Sequence, residues 1–287
     1  MPNTRVIRRR IRSVQNTAKI TGAMEMIAAS KMRRAQQRVL AGRPYARKMQ
    51  QVLANLAGHV SDSESSHPLL QKREVKTVQF VHITPDRGLA GGLNSNLNRK
   101  ATQFILEEKV KVTLVTIGKK GRDFMVRHGQ DVQAVFTDLS DHVAMGDILP
   151  VSKIVTQNYT NGTVDKVYLL YAQYVSTAVQ QPTLQQLLPV EAPVAEKGAR
   201  SVDYIYEPDT QAVLAALLPR FVDMQIYQAM LEANASEQSA RMVAMRNATD
   251  NAQEMVDDLT LELNKARQAM ITGELLDITG GVVALEG

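Results

Sequence analysis

Two long stretches of the chain, one at each end, repeat apolar residues at alternating steps of three and four. This spacing keeps one face of a helix apolar and is typical of coiled coils. In the C-terminal stretch, 209–281, the repeat comprises Leu214, Leu217, Phe221, Met224, Leu231, Ala235, Met242, Met245, Ala252, Val256, Leu259, Leu263, Ala266 and Met270. Its polar breaks are Gln228, Gln238 and Thr249. No proline follows Pro219 and no glycine precedes Gly273, so we predict one helix of roughly 100 Å. A helix of that length needs a partner along its apolar face.

The first sixty residues carry the same pattern and are the predicted partner. Their repeat comprises Ile7, Ile11, Val14, Ala18, Ala28, Met32, Ala35, Val39, Ala46, Met49, Leu53, Leu56 and Val60. The exceptions are Thr21, Glu25 and Gly42. The charges favour pairing between the two stretches, because Glu25 is the single acid among many Arg and Lys residues of the first stretch. The C-terminal helix is acidic in balance, with Asp250, Glu254, Asp257, Asp258 and Glu262. We predict an antiparallel coiled-coil shaft made of residues 1–60 and 208–287.

The two predicted helices differ in length. They run from about Thr4 to Gly58 and from about Asp209 to Gly281, so level ends would leave an overhang of about 18 residues, or roughly 27 Å, beginning near Asn264. The apolar residues of this overhang are Met270, Ile271, Leu275, Leu276, Ile278, Val282, Val283 and Leu285. A lone helix that apolar either folds back or enters a socket on another protein, and we favour the socket.

The middle of the chain predicts an α/β domain. Ser61 to Gln71 resembles a flexible linker, and 191–200 an exposed loop. Between them the predicted strands are Val78–Ile83, Val110–Ile117, Val132–Phe136, Val167–Tyr174, Thr183–Leu188 and Val202–Tyr206. The predicted helices are Gly92–Glu108, Lys120–His128 and Asp147–Tyr159. This alternation indicates a mainly parallel, Rossmann-like sheet flanked by helices. We expect the globular domain to span residues 75–207.

Candidate chemistry is sparse. The stretch from Asp86 to Asn96 is a glycine-rich turn between a strand and a helix, where backbone N–H groups can cradle a phosphate. It matches neither common nucleotide-binding pattern, so a tight turn is the favoured interpretation. The five histidines show no metal-ligand spacing, and no nucleophile motif is present. We expect no catalytic, cofactor-binding or metal-binding residue.

Composition and motifs leave two alternative functions to weigh. The chain has no cysteine, which excludes disulfides and thiol chemistry, and no apolar run of the length that spans a membrane. Its net charge of +5 is concentrated in the first helix, as in a basic helical hairpin that binds nucleic acid. Only 5% of its residues are aromatic, so base stacking has little support. A second alternative, a nucleotide-binding enzyme, would require a carboxylate at the end of the second strand, and none follows Ile117.

Several stretches resemble the gamma subunit of F-type ATP synthases, and the likeness covers nearly the whole chain. They are SVQNTAKITGAMEMIAASKM from Ser13, GLAGGLNSN from Gly88, ASEQSARMVAMRNATDN from Ala235 and NKARQAMITGE from Asn264. A shorter one is YIYEPD from Tyr204. The lack of cysteine distinguishes the chain from chloroplast members, which carry a regulatory segment with two cysteines, so it is most similar to bacterial members.

The resemblance implies a non-catalytic rotor shaft, present once per complex, that needs no cofactor. It would sit inside the hexamer of alpha and beta subunits and rest through its α/β domain on the epsilon subunit and the ring of c subunits. Its rotation would couple proton flow to ATP synthesis or hydrolysis. The implied location is the cytoplasmic face of a bacterial cell membrane, peripheral and reached only through these partners. Nucleic acid is not an implied partner.

Specific positions carry the implied contacts. Those with the beta subunit are Met24, Arg241, Arg267, Gln268, Thr272 and Glu274. Those with the c ring or epsilon are Tyr204, Tyr206 and Glu207. Two glycines depart from the family pattern. Gly22 stands where a lysine is frequent, and Gly273 where a glutamine is frequent, which would weaken the helix by about 1 kcal/mol.

Overall fold

A computed structural model describes residues 4–59, 67–191, 207 and 209–286 of the chain. The chain divides into two compact units, one formed by Met1–Ala28 with Met242–Gly287 and the other by Ala29–Arg241. Both long helices contribute residues to both units. The strand predicted at Val202–Tyr206 lies outside the described residues, and the division into a shaft and a domain at 60, 75 and 207 stays a prediction.

The helices and strands follow the predicted alternation closely. In chain order they are α1 (Thr4–His59), β1 (Thr77–Ile83), α2 (Leu93–Glu107), β2 (Lys111–Ile117), α3 (Lys119–Arg127), β3 (Val132–Phe136), α4 (Met145–Thr160), β4 (Lys166–Tyr174), β5 (Gln180–Leu188) and α5 (Thr210–Glu286). The two terminal helices and the central α/β sheet confirm the predicted fold class.

The five strands form one sheet in the order β3-β2-β1-β4-β5. The first four are parallel, as β-α-β connections require, and β5 pairs antiparallel with β4 because only a short turn joins them. Alternate residues of β1 face opposite sides. Phe80 packs with α2 and α3, whereas Val81 and Ile83 belong to the core that includes α4 and residues of both long helices. The sheet is therefore covered on both faces.

The predicted linker is wrong at its C-terminal end. Pro68–Leu70 form a short 3-10 turn, and Leu69 is buried in the core. His67 Nδ1 accepts the N–H of Leu69 at 3.2 Å, and the Tyr159 hydroxyl donates to the carbonyl of Gln71 at 2.6 Å. The apolar Pro-Leu-Leu sequence, rather than the serines before it, determines the structure here.

Gly118 and Thr84 bring the ends of β1 and β2 into close contact. Gly118 has φ of 97°, and a Cβ at this position would lie 1.8 Å from the Thr84 carbonyl oxygen. No L-residue can occupy that space without moving the backbone.

We expect Gly118→Ala to destabilise the domain by more than about 2 kcal/mol, because both the backbone angle and the contact with Thr84 oppose a side chain. Gly146→Ala is the matched control, since a Cβ at Gly146, within α4, meets no atom within 4 Å. It should be neutral or slightly stabilising. Denaturant unfolding of both variants checks this expectation, and equal stabilities would contradict it.

His82 lies fully buried in β1. Its Nε2 lies 3.0 Å from Asn98 Oδ1, its Nδ1 has no hydrogen-bond partner, and its ring stacks near Phe80. Burial lowers the pKa of His82 from 6.5 to about 4, while the bond to Asn98 partly opposes this change. Between these two values the unfolded chain binds a proton that the folded chain does not.

Stability should therefore fall as the pH drops from 6.5 towards 4, by up to about 3 kcal/mol from this residue. We expect His82→Gln to remove that part of the acid sensitivity, and the exposed His128→Gln to retain it. The measurement is the free energy of unfolding from pH 7 to 4. A His82→Gln variant with the wild-type slope would refute the assignment.

Candidate functional site: the paired helices and the end of α5

Four of the six breaks in the two apolar faces meet each other in pairs, Thr21 with Thr249 and Gly42 with Gln228. In the first unit, Thr21 Oγ1 lies 2.7 Å from Thr249 Oγ1, and Arg246 Nε donates to Glu25 Oε1 at 2.8 Å. In the second unit, Gly42 leaves room for Gln228, whose Oε1 would lie 3.1 Å from a Cβ on that glycine. Facing residue numbers add up to 270 or 271 in every case, so α1 and α5 pair antiparallel in one register.

This register corrects the predicted start of the overhang of α5. Level helix ends predicted an overhang beginning near Asn264, but the Thr21–Thr249 pair places Thr4 opposite residue 266. Burial agrees with that position. Val256 is 6% exposed and Leu263 and Ala266 are half-buried, whereas Met270 is 45% exposed. Pairing therefore ends two to three residues later than expected.

Beyond residue 266 the described part of α5 continues as an exposed helix. Its exposed apolar side chains are Met270, Ile271, Leu275, Leu276 and Ile278. The predicted contact residues Arg267, Gln268, Thr272 and Glu274 are also exposed there. Thr272 Oγ1 donates to the carbonyl of Gln268 at 3.0 Å, which leaves the Gln268 side chain available. The structure thus brings four of the predicted residues together on one helical segment.

Met24 lies on α1 in the paired part of the first unit. It is half-buried, and it is flanked by Ile20 and Ile27, which are 61% and 57% exposed. These two isoleucines are one heptad apart, so they share a helix face. Gly22, on the same helix, would place a Cβ 3.9 Å from Thr249, which makes it part of the contact with α5. Ile20, Met24 and Ile27 thus form an apolar stripe on α1 that is partly exposed.

Arg241 is held inside the second unit. Its Nη2 donates to Glu237 Oε1 at 2.7 Å and to the carbonyl of Gly88 at 3.3 Å, and its Nη1 donates to Gln238 Oε1 at 3.4 Å. Only 12% of its side chain is exposed. Burial raises the pKa of Glu237, and the neighbouring guanidinium opposes that rise. Arg241 is thus separate from the exposed residues of α5.

Most of the residues predicted to contact the c ring and the epsilon subunit lie outside the described ranges. Tyr204 and Tyr206 lie outside the described residues. Glu207 is described and its side chain is exposed.

The glycine-rich turn after β1 is closed by its own carboxylate. Asp86 Oδ1 accepts the N–H of Lys119 at the start of α3, and Oδ2 accepts the N–H of Asp138, both at 2.9 Å. Leu89 and Gly91 take positive φ angles of 61° and 56°. The turn is therefore folded against α3, as the favoured interpretation predicted, and Gly92 precedes helix α2.

A cavity of about 450 Å³ opens at the carboxyl ends of β1, β2 and β3. Its charged lining is largely paired, as Lys31 with Asp141, Lys119 with Asp138, and Arg241 with Glu237. The described residues contain no group of His, Asp and Glu side chains suited to a metal ion. Within the same ranges, no helix has the length and apolarity for crossing a membrane.

Comparison with known proteins decides the family. The ATP synthase gamma chain of Dehalococcoides mccartyi is 56% identical over 285 residues, covering 99% of this chain and 100% of that one. The gamma chain of Roseiflexus castenholzii is 54% identical over 288 residues, with 99% of each chain covered. A family model described as ATP synthase matches residues 3–285. The chain belongs to the ATP synthase gamma chain family.

Solved structures share the fold of this gamma-family chain. A chain of the Euglena gracilis mitochondrial ATP synthase, in an OSCP/F1/c-ring structure, superposes with a TM-score of 0.70 at 20% identity. The match covers 98% of this chain and 94% of that one. The rotor of the same organism's enzyme gives 0.67 at 20% identity, with 93% and 98% covered.

The residues that sequence reasoning missed are the ones that set the register of this gamma-family chain. In the sequence, Thr21, Gly42, Gln228 and Thr249 stand out only as exceptions to the apolar repeat. Their spacing held a usable signal, because Thr21 pairs with Thr249 and Gly42 with Gln228 at one constant sum of residue numbers. Buried polar residues in a coiled coil commonly fix its register in this way.

We expect Thr21 and Thr249 to be energetically coupled by about 0.5–1.5 kcal/mol, as hydrogen-bonded neighbours are. The test is a double-mutant cycle with Thr21→Val and Thr249→Val, monitored by the thermal loss of helix signal. Thr17→Val replaces Thr21→Val in the control cycle, because both hydroxyls bond to a carbonyl of their own helix but Thr21 is the one that also contacts Thr249. Equal coupling in the two cycles would contradict a register-setting pair.

Proposed function

We propose that this chain is the central shaft of an F-type ATP synthase. The observation that carries the proposal is the long antiparallel pair of α1 and α5, extended by an exposed apolar end of α5. As a gamma chain it is a non-catalytic subunit of an enzyme whose reaction takes place in the beta subunits. Such a shaft belongs to the membrane-associated F1 complex.

The shaft acts through its asymmetry. A helix pair presents different side chains on different sides, so each surrounding beta subunit meets a different surface at any instant. A surface that binds one conformation of a subunit better than another shifts that subunit's equilibrium by the difference in interaction free energy. Rotation then moves each catalytic site through its conformations in turn, which couples proton flow to ATP synthesis or hydrolysis.

The contacts with the beta subunits divide into two groups. The lower group is the apolar stripe of Ile20, Met24 and Ile27 on α1, whose exposure supports a contact with a partner. The upper group on α5 consists of Arg267, Gln268, Thr272 and Glu274, which are polar and exposed. Arg241 contributes indirectly, because its guanidinium is engaged with Glu237 and Gly88.

The remaining partners are the epsilon subunit and the c ring. Tyr204, Tyr206 and Glu207 would provide contacts with them, and the exposure of Glu207 is consistent with this role. One copy of the chain serves each alpha–beta hexamer. The chain reaches the membrane only through these partners, on the cytoplasmic face of a bacterial cell membrane.

The experiment is assembly of the purified chain with alpha and beta subunits, with complex mass and ATP hydrolysis as readouts. We expect one copy per hexamer and high hydrolysis. Ending the chain at Lys265 should weaken both. The double variant Leu275→Ser/Leu276→Ser should weaken assembly tenfold or more, because a buried leucine contributes about 1.5–3 kcal/mol.

Met255→Ser is the matched control, because Met255 is an exposed apolar residue of α5 within the paired part. It should assemble like the unaltered chain. The shaft proposal is wrong if the full-length chain does not bind alpha and beta subunits but binds RNA with an affinity that falls strongly as the salt concentration rises. That result would favour the alternative of a basic hairpin that binds nucleic acid.

A further inference from the structure

Within the second unit, α5 is joined to the sheet by side-chain donors on main-chain carbonyls. Ser236 Oγ donates to the carbonyl of Ala172 at 2.9 Å, and Ser239 Oγ donates to that of Thr177 at 2.8 Å. Arg241 Nη2 donates to the carbonyl of Gly88 at 3.3 Å. These three residues lie within two turns of one helix. We call them and their three acceptors the α5 joint.

The acceptors belong to two neighbouring parallel strands or the turns that follow them. Ala172 is in β4 and Thr177 is in the turn to β5, while Gly88 is in the turn after β1. The carboxyl ends of parallel neighbours lie at the same edge of a sheet. The α5 joint therefore fastens the helix to one edge of the sheet, across β1 and β4.

The two serine donors are buried, and their hydroxyls bond outside their own helix. Both serines are 0% exposed. A helical serine commonly bonds to the carbonyl four residues earlier in its own helix, but here both hydroxyls donate to carbonyls of β4 and of the turn after it. Gln180 Nε2 adds a further bond to Ser239 Oγ at 3.3 Å. Apolar packing alone would not require these hydroxyls, so their presence needs another explanation.

The explanation lies in the directionality of hydrogen bonds. Apolar attraction has no preferred direction, so it opposes turning or sliding of a helix only through the fit of the packed side chains. Hydrogen bonds weaken steeply as their angle and distance change, so they resist such movement. A helix that carries a twisting load against a sheet thus benefits from buried bonds at several points rather than from apolar packing only.

The acceptor side is itself held firmly. Asp86 ties the turn containing Gly88 to α3 and to Asp138. The turn containing Thr177 is closed by the bond from the N–H of Val179 to the carbonyl of Ser176 at 3.2 Å. Glu237 fixes the Arg241 guanidinium from the helix side. Load on the α5 joint would thus pass into the sheet and not into a loose loop.

We propose that Ser236, Ser239 and Arg241 are positioning residues that transmit torque between α5 and the sheet. This inference rests on the proposed function as a rotor shaft. It assigns to Arg241 a role through the Gly88 turn, without direct contact with a beta subunit. Weakening the α5 joint should let the helix pair turn with less rotation of the sheet, so hydrolysis should continue while proton transport falls behind.

The test uses the complete ATP synthase in inverted membrane vesicles, with ATP hydrolysis and ATP-driven proton uptake measured on the same sample. The variant is Ser236→Ala/Ser239→Ala. We expect hydrolysis per assembled complex to stay within about twofold and the ratio of proton uptake to hydrolysis to fall by roughly threefold or more. A merely structural defect would lower the amount of complex and leave this ratio unchanged.

Thr17→Ala/Thr260→Ala is the matched control. It also removes two hydroxyls from the long helices, but these donate to Ser13 and Val256 in their own helices. Its ratio should equal that of the unaltered enzyme. If the double serine variant does not assemble, Ser239→Ala alone replaces it, with a smaller expected fall in the same ratio.

If the serine variant assembles and has the same ratio of proton uptake to hydrolysis as the control, the proposed role of the α5 joint is refuted. The proposed function as a rotor shaft would be unaffected by that result. If the unaltered chain fails to support any ATP-driven proton uptake with its alpha, beta, epsilon and c partners, the proposed function fails instead. The two failures are therefore distinguished by the unaltered enzyme in the same experiment.

Discussion

The pairing of α1 with α5 is the constraint on which the rest of the structure depends. The two helices come from opposite ends of the chain, so everything between them must fold into a unit that brings its entry and exit close together. A parallel sheet with one antiparallel edge strand satisfies this requirement. Apolar faces supply most of the attraction, but they would tolerate several registers. The facing polar exceptions, Thr21 with Thr249 and Gly42 with Gln228, select one of them.

The sheet and its helices use polar groups in a complementary way. Their interior is mostly apolar on both sides of the sheet, yet the edge facing α5 holds buried serines, a nearly buried arginine and an aspartate bonded to two backbone N–H groups. Each of these groups bonds to a main-chain atom. Main-chain atoms cannot change rotamer, so such bonds fix the position of a helix more firmly than bonds between two flexible side chains.

Most of the fold could be predicted from sequence, because its periodicities are strong. Strands β1 to β4 and all five helices follow from apolar spacing, and the seam positions of α1 that the structure describes are buried or half-buried as predicted. The register failed because it was inferred from helix ends, whereas polar pairs such as Thr21 and Thr249 determine it. The α5 joint could not be predicted, since Ser236 and Ser239 acquire meaning only when α5 lies on β4. Met24 and the residues after Arg267 came from resemblance to a family, because an exposed helix surface carries no chemical signature of its own.

Asp86 bears on how this α/β fold would respond to small anions. Backbone N–H groups at a helix N-terminus attract anions. At the start of α3 one such group, the N–H of Lys119, is already bonded to Asp86 Oδ1, while Asp86 Oδ2 accepts the N–H of Asp138. Because Asp86 is part of the chain, its carboxylate is present there at a high effective concentration. An anion that entered the cavity beside Asp86 would reach this N–H only by displacing a side chain that also holds the loop after β3 in place.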